Sequence, residues 1–347
     1  MDRDTRDMLL ETADRFFTQR CGREVVNGVE KGAWPADLWK EIEEMGLPLI
    51  AVPEDKGGVG GTLGDMLALL RLAGSHAVPV PLAETALANL LTAAAGGEPK
   101  PGPATLALGK LQLSGGRLSG KVERVPFAAV ADRFVAVVGG TLAVIAKANA
   151  KIEARPSHAG EPHGTVVFDN AAAEFSAASP VSAERAFELA AVMRAMQMAG
   201  AADKVLAIAV EYSKQRVQFG RSISTFQAIQ HMLAELASCV AATVASAEAA
   251  ARDADEGGLL DGGHFSIAAA KSQASEFAQR IAAISHQSMG AMGFTHEHIL
   301  HHYTRRLWVW RRDFGSETFW GEKIGQAYAK AGPEALWASL SGSKYAA

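Results

Sequence analysis

From about residue 182 onward the chain is alanine-rich and keeps a helical period over stretches much longer than an ordinary helix, which limits its possible folds more than any other feature. One stretch runs from residue 183 towards 212, and another from about 264 to 289. Between them Phe226, Ile229, Leu233, Leu236, Val240 and Val244 fall on a single stripe, which stops before the loop signal Asp255-Glu256-Gly257-Gly258. A helix of about 30 residues spans about 45 Å. Small alanine side chains let such helices pack closely, so an antiparallel helical bundle is the economical solution. Its length exceeds what a small monomeric core needs, and packing between subunits is expected.

Upstream, the texture changes twice. Over residues 1–98 the pattern predicts short helices: Leu38, Ile42 and Met45 recur at helical spacing before Gly46, and another helix is expected over 63–73. The loop Pro53-Glu54-Asp55-Lys56-Gly57-Gly58-Val59-Gly60-Gly61 lies between them. It lacks the Gly-Lys-Ser/Thr ending of a phosphate loop, so its glycines are read as backbone bends. Over residues 99–181 glycine and proline become frequent. Apolar runs shorten to Phe134-Val135-Ala136-Val137-Val138, Leu142-Ala143-Val144-Ile145 and Val166-Val167-Phe168, bounded by Gly139-Gly140 and Asp169-Asn170. These predict strands joined by tight turns, in a small antiparallel sheet or barrel. The expected fold class is mainly α with a small β module: a helical domain (1–98), a β domain (99–181) and a helical bundle domain (182–347).

With 347 residues, 48% hydrophobic and 21% charged, the chain has the profile of a soluble protein of two or three domains. Its two cysteines, Cys21 and Cys239, are far apart and lack metal-ligand spacing. Reduced thiols and a cytoplasmic location are expected. The charged start Met1-Asp2-Arg3-Asp4 is unlike a secretory signal. No uninterrupted apolar run reaches the roughly 20 residues of a membrane span, and a net charge of −4 gives no field favouring nucleic acid or anionic lipid.

The junction of the first two long helices carries Arg216, Phe219, Gly220 and Gln227. Arg216 offers a planar, permanently charged fork suited to a pyrophosphate. Gly220 permits a sharp turn, and Phe226-Gln227 opens a helix whose N-terminus favours anions. By itself this is either an anion clasp or an ordinary helix–helix connection with a surface arginine.

The run Tyr212-Ser213-Lys214-Gln215-Arg216-Val217-Gln218-Phe219-Gly220-Arg221-Ser222-Ile223, continuing to Phe226-Gln227-Ala228-Ile229-Gln230, resembles the FAD-binding signature of the acyl-CoA dehydrogenases. Gln287-Ser288-Met289-Gly290-Ala291-Met292-Gly293-Phe294 is similar to the family's Gln-x-x-Gly-Gly-x-Gly-Phe/Tyr segment, with Ala291 replacing one glycine. Leu38-Trp39, Gly46-Leu47, Val52-Pro53-Glu54 and Gly57-Gly58-Val59-Gly60 resemble its N-terminal domain. The three matches come in family order and spread over most of the chain.

The resemblance implies a helical domain, a middle β-barrel and a C-terminal four-helix bundle that drives dimer and dimer-of-dimers assembly. FAD would lie at a subunit interface. Arg216 would pair with its pyrophosphate, Phe219 would pack near the adenine, and Gln227, Gln287 and Gly290 would border the dinucleotide. It also implies α,β-dehydrogenation of an acyl-CoA, with an electron-transfer flavoprotein reoxidising the flavin. A glutamate base would take the α-proton, from a Glu-Gly-Thr segment or from the helix before Arg216. Here those positions fall on Phe314, in Phe314-Gly315-Ser316, and on Ala190. Asp313 and Glu317 flank the first. Glu317 is read as a displaced base or, preferably, as a cap of the following helix. Glu188, two residues from Ala190, is rotated by about 200° and should face elsewhere.

The β module keeps Leu118-Ser119-Gly120-Lys121-Val122-Glu123-Arg124-Val125-Pro126 and Ala131-Asp132 without the family's flavin-contacting Thr-Glu-Pro and Trp-Ile-Thr segments. This resembles the small subunit of heteromeric bacterial acyl-CoA dehydrogenases, where a larger partner supplies the base. The alternatives are a self-sufficient homo-oligomeric dehydrogenase, oxidase or monooxygenase with a displaced base, and a structural partner without cofactor. The acyl group is not encoded. His296, His298, His301 and His302 crowd together, with His298 and His302 expected on one helical face, but no thiol or acid completes a zinc site and none is expected. Arg305-Arg306-Leu307-Trp308-Val309-Trp310-Arg311-Arg312 is read as an interface or pocket-wall helix rather than a nucleic-acid patch.

Overall fold

The computed structural model describes residues 1–335 and Trp337; the remaining C-terminal positions of the expected bundle domain lie outside the described residues. Five helices come first: α1 (Arg3–Arg20), α2 (Arg23–Glu30), α3 (Ala36–Glu44), α4 (Leu63–Ser75) and α5 (Leu82–Ala94). α3 ends where expected, with Gly46 at φ 70°. The loop after it folds on itself through Gly60 N–H to the Val52 carbonyl (2.9 Å) and Gly61 N–H to the Ile50 carbonyl (2.8 Å). Its glycines are bends. α4 starts on a capping box in which Thr62 N–H donates to Asp65 (2.8 Å) and Asp65 N–H donates to the Thr62 hydroxyl (3.2 Å).

Eight strands follow: β1 (Ala104–Leu106), β2 (Leu111–Ser114), β3 (Arg117–Val125), β4 (Arg133–Val138), β5 (Thr141–Ala146), β6 (Lys151–Ala154), β7 (Gly164–Ala172) and β8 (Phe175–Ala178). They hydrogen-bond as two four-stranded sheets, β1-β4-β5-β8 and β2-β3-β7-β6. Every pairing is antiparallel except β1 with β4. The sheets share a core in which Phe134 and Ala136 meet Leu118, Val122, Val166 and Phe168, with the Phe134 and Phe168 rings edge-on at 5.9 Å. Strand side chains alternate, so Val135 and Val137 of β4 and Leu142 and Val144 of β5 point the other way, into the main helical core. Burial on both faces explains why these two strands read as unbroken apolar runs. Gly139-Gly140, both at positive φ, make the two-residue turn between them.

The bundle consists of α6 (Ala183–Gln215), α7 (Gln227–Gly257), α8 (His264–Met289), α9 (Leu300–Trp310) and α10 (Glu317–Ala331), with a small ribbon of β9 (Val217–Gln218) and β10 (Arg221–Ser222) between α6 and α7. α6, α7 and α8 pack on one another, and α4 lies along α6. Two glycines set that last approach. A Cβ on Gly74 would sit 2.1 Å from the Gln197 carbonyl oxygen, and one on Gly200 1.9 Å from that of Arg71. Exchanging either for alanine would force the helices apart.

Candidate functional site

α6 stops at Gln215, and Arg216 is already extended. β9 and β10 pair so that Phe219-Gly220 forms a two-residue turn with φ of 53° and 79°. That is the pattern which fits the twist of a hairpin, free for glycine but strained for phenylalanine. Ser222 ties the returning strand to α6 by donating to the carbonyls of Ser213 (2.8 Å) and Lys214 (3.0 Å). Phe219 is 91% exposed, edge-on to Phe226 at 6.1 Å, and Arg221 lies over the Phe226 ring at 4.3 Å. Arg216 is exposed and makes no ion pair among the described residues. Gln227, also exposed, opens α7, where the unpaired first-turn N–H groups of a 31-residue helix gather. Arg216, Phe219 and Gln227 thus share one projecting junction.

Gln287 and Gly290 lie at the other end of the sequence match, in the last turn and cap of α8, both exposed. Gly290 has φ 60°. The turn beyond it exposes Met292 and Phe294, the latter stacked on buried His286 at 4.6 Å. A ring contact between Tyr212 and His298 (6.2 Å) links this turn to the end of α6.

The two positions that the resemblance assigns to a base are apolar and enclosed. Ala190 is fully buried in α6. Phe314 is buried between α9 and α10 at φ 53°, edge-on to Phe187 at 6.2 Å. The cleft between β3 and this turn, lined by Val122, Arg124, Pro126, Phe187, Arg312 and Phe314, holds about 150 Å³. Glu188 faces away, accepting from Arg185 (3.3 Å) and bonded to His264 (2.6 Å).

Asp313 and Glu317 are both held by arginine. Asp313 is buried 3.2 Å from Arg194, which also pairs with Glu84 at 2.5 Å and donates to Gln197, and 3.7 Å from His163. Burial would raise the Asp313 carboxyl, but Arg194 and His163 outweigh it and hold it below the ordinary range. Glu317 is the first residue of α10, and the cap itself is Ser316, which accepts from Phe319 N–H at 3.4 Å. Its partner is Arg311 at 2.5 Å. Partial burial raises the Glu317 carboxyl, yet the Arg311 hydrogen bond and a backbone N–H more than reverse this. A carboxylate so held is a poor proton acceptor.

The polar core around Asp313 was not foreseen from the residue pattern. Glu161 is fully buried 3.3 Å from Arg306 and accepts from the Trp310 indole at 3.2 Å. Arg306 and Trp310, from the basic aromatic run, therefore point inward, while Trp308 and Arg312 are exposed. One signal was available: Arg194 interrupts an otherwise apolar stretch of α6. The histidine cluster resolves differently from expectation. His298 lies before α9, ahead of its N-cap Ile299, and accepts from Leu300 N–H (3.1 Å), so it shares no helical face with His302. Glu30, His301 and His302 do converge, but Arg305 already fills that position, bonded to Glu30 and to His301 Nδ1. The cation held there is a guanidinium.

Residues 3–98 match the acyl-CoA dehydrogenase N-terminal domain and residues 181–324 its C-terminal domain. The chain belongs to the acyl-CoA dehydrogenase family. It is 34% identical to acyl-CoA dehydrogenase FadE34 of Mycobacterium tuberculosis over 301 residues, which cover 82% of this chain and 41% of that protein. It is 30% identical to acyl-CoA dehydrogenase IpdE2 of the same organism over 310 residues, 87% of this chain and 90% of that one. The chain thus spans less than half of the first relative and most of the second. Among solved structures, a variant of the Tcur3481–Tcur3483 steroid ACAD superposes with a TM-score of 0.83 at 26% identity, over 94% of this chain and 98% of that one.

Proposed function

We propose that this chain is a subunit of an FAD-dependent acyl-CoA dehydrogenase and completes a flavin site shared with a partner polypeptide. The observation that carries this reading is a contrast within one chain: an exposed Arg216–Gln227 junction at one end of α6, and two base positions elsewhere occupied by buried Ala190 and Phe314. The exposed residues fit the cofactor. Arg216 is a free guanidinium for the pyrophosphate, Phe219 an exposed ring for the adenine, and Gln227, Gln287 and Gly290 offer donors around the dinucleotide. FAD, when bound, supplies the hydride acceptor for α,β-dehydrogenation of the acyl-CoA.

The cleft of about 150 Å³ is well below the ~300 Å³ at which ligand pockets begin. In this reading the acyl thioester and the base that deprotonates it belong to the partner. An electron-transfer flavoprotein is the acceptor this cycle needs. A steroid-derived acyl group is the favoured substrate class, in keeping with the name of the solved relative. Assembly through the bundle is supported by α7, which exposes Ala228, Ala234, Ala241 and Ala245 on its outer side. That helix is long and apolar enough, by length and composition, to cross a membrane; a helix covered by another subunit passes the same test.

Purifying the chain alone and together with the product of the adjacent gene tests the reading. FAD and acyl-CoA dehydrogenase activity are expected in the co-purified assembly. A yellow, fully active homo-oligomer of this chain alone would overturn it.

A further inference from the structure

Lys271 is fully buried in α8, and its ammonium donates to the Ser275 hydroxyl (2.9 Å) and to the carbonyls of Arg311 (3.1 Å) and Gly315 (2.7 Å). Ser275 also donates to Arg311 (3.0 Å), Ser272 to the Glu317 carbonyl (3.2 Å), and the Trp320 indole to the Phe314 carbonyl (3.0 Å). Side chains therefore hold four carbonyls of one short turn, at 311, 314, 315 and 317. The turn needs holding. Phe314 sits at φ 53°, a conformation that persists for a non-glycine residue only where the surroundings impose it. Gly315 follows at φ 94°, where a Cβ would lie 2.5 Å from the Trp320 indole nitrogen.

Burying an ammonium is costly, and no carboxylate lies within ion-pair distance of Lys271 among the described residues. Burial pushes the amine down to about 7, with Asp313 and Glu317 opposing that shift and Arg194 and Arg311 adding to it. What the lysine offers in return is three N–H donors on one tetrahedral head, matched to three acceptors.

We propose that Lys271 is a positioning residue: from α8 it clamps the backbone of the turn that carries Phe314, and so fixes the wall this chain presents at the cleft where the family's base position falls. The clamp stands on geometry alone, whereas its link to flavin rests on the function proposed above. Hydrogen exchange of Lys271→Met against wild type, well below the melting temperature, tests the clamp. Amides of residues 311–319 should exchange about tenfold faster or more, while those of α7 stay as they were. Lys271→Gln, which keeps two donors, should recover part of the protection. Should Lys271→Met fail to fold, Ser275→Ala should loosen the same amides to a lesser degree. Unchanged exchange at 311–319, or a uniform rise across the chain, would overturn the clamp. In the assembled complex the variant should also bind FAD several-fold more weakly and shift its absorption envelope. A loosened turn with unaltered FAD affinity and spectrum overturns the positioning role. A wild-type complex without FAD overturns the shared-site reading instead, and the exchange data then decide the clamp alone.

Discussion

The α6–α7 junction and the cleft at Phe314 are built in opposite ways. At the junction, charged and aromatic groups stand in solvent with few partners, and Phe219 holds a strained turn to do so. At the cleft, polar groups are buried and paired, and the positions that would act on substrate are alanine and phenylalanine. Exposed, unpaired groups cost stability little and are available to a partner; enclosed, paired ones add to a core and are available to nothing. On the function proposed above, the first is a surface kept for binding and the second a site filled by packing.

The largest effect tests the cleft as core. Arg194→Ala leaves Glu84 and Asp313 buried without their cation and should destabilise the chain by about 3–5 kcal/mol in urea unfolding. A loss under about 1 kcal/mol would mean that water reaches the pair and that the cleft is open. Next comes the junction. Arg216→Ala should leave stability within about 0.5 kcal/mol but weaken FAD binding by the assembled protein about 10- to 100-fold. Unaltered FAD content would make the junction an ordinary connection and erase the contrast.

A smaller effect comes from pH. Burial lowers the His163 imidazole, but the Asp313 and Glu161 carboxylates outweigh it and hold it above its usual 6.5. Its proton therefore adds stability that is fully present below about pH 6.5 and is lost as pH rises through the folded value. The destabilisation caused by His163→Phe should be greater near pH 5.5 than near pH 8.5. Equal costs at both pH values would show that His163 is neutral in the folded chain.

Helical periodicity marked the bundle because α7 and α8 keep one buried stripe over many turns, whereas α6, buried on all sides from Glu188 to Ala202, was marked by its length and alanine content; unbroken apolar runs around paired glycines marked β4 and β5. The family signature picked out Arg216, Phe219 and Gln227 because a hairpin between two helices is local in sequence. The polar core was not legible in the same way. Glu84, Glu161, Arg194 and Asp313 come from four separate elements, and nothing in the chain order says that they meet. Lys271 illustrates the limit from the other side. A lysine among alanines reads as a solvated break in the stripe, whereas its acceptors are backbone carbonyls of a turn some 40 residues further on.

The smallest expected effect is the most decisive for the comparison. Glu317 is half-buried, paired with Arg311 and placed in the first turn of α10, where the helix N-terminus also favours its charge. Glu317→Gln keeps shape and one acceptor, so it should cost about 0.2–1 kcal/mol of stability, the range for a partly exposed ion pair. Turnover of acyl-CoA by the assembled protein should stay within about twofold, since a carboxylate bound to arginine has little basicity to lose. Loss of turnover with FAD retained would make Glu317 the base despite its partner. The cleft would then be an active site in its own right, with Arg311 released on substrate binding, and this chain would need no second polypeptide for its chemistry.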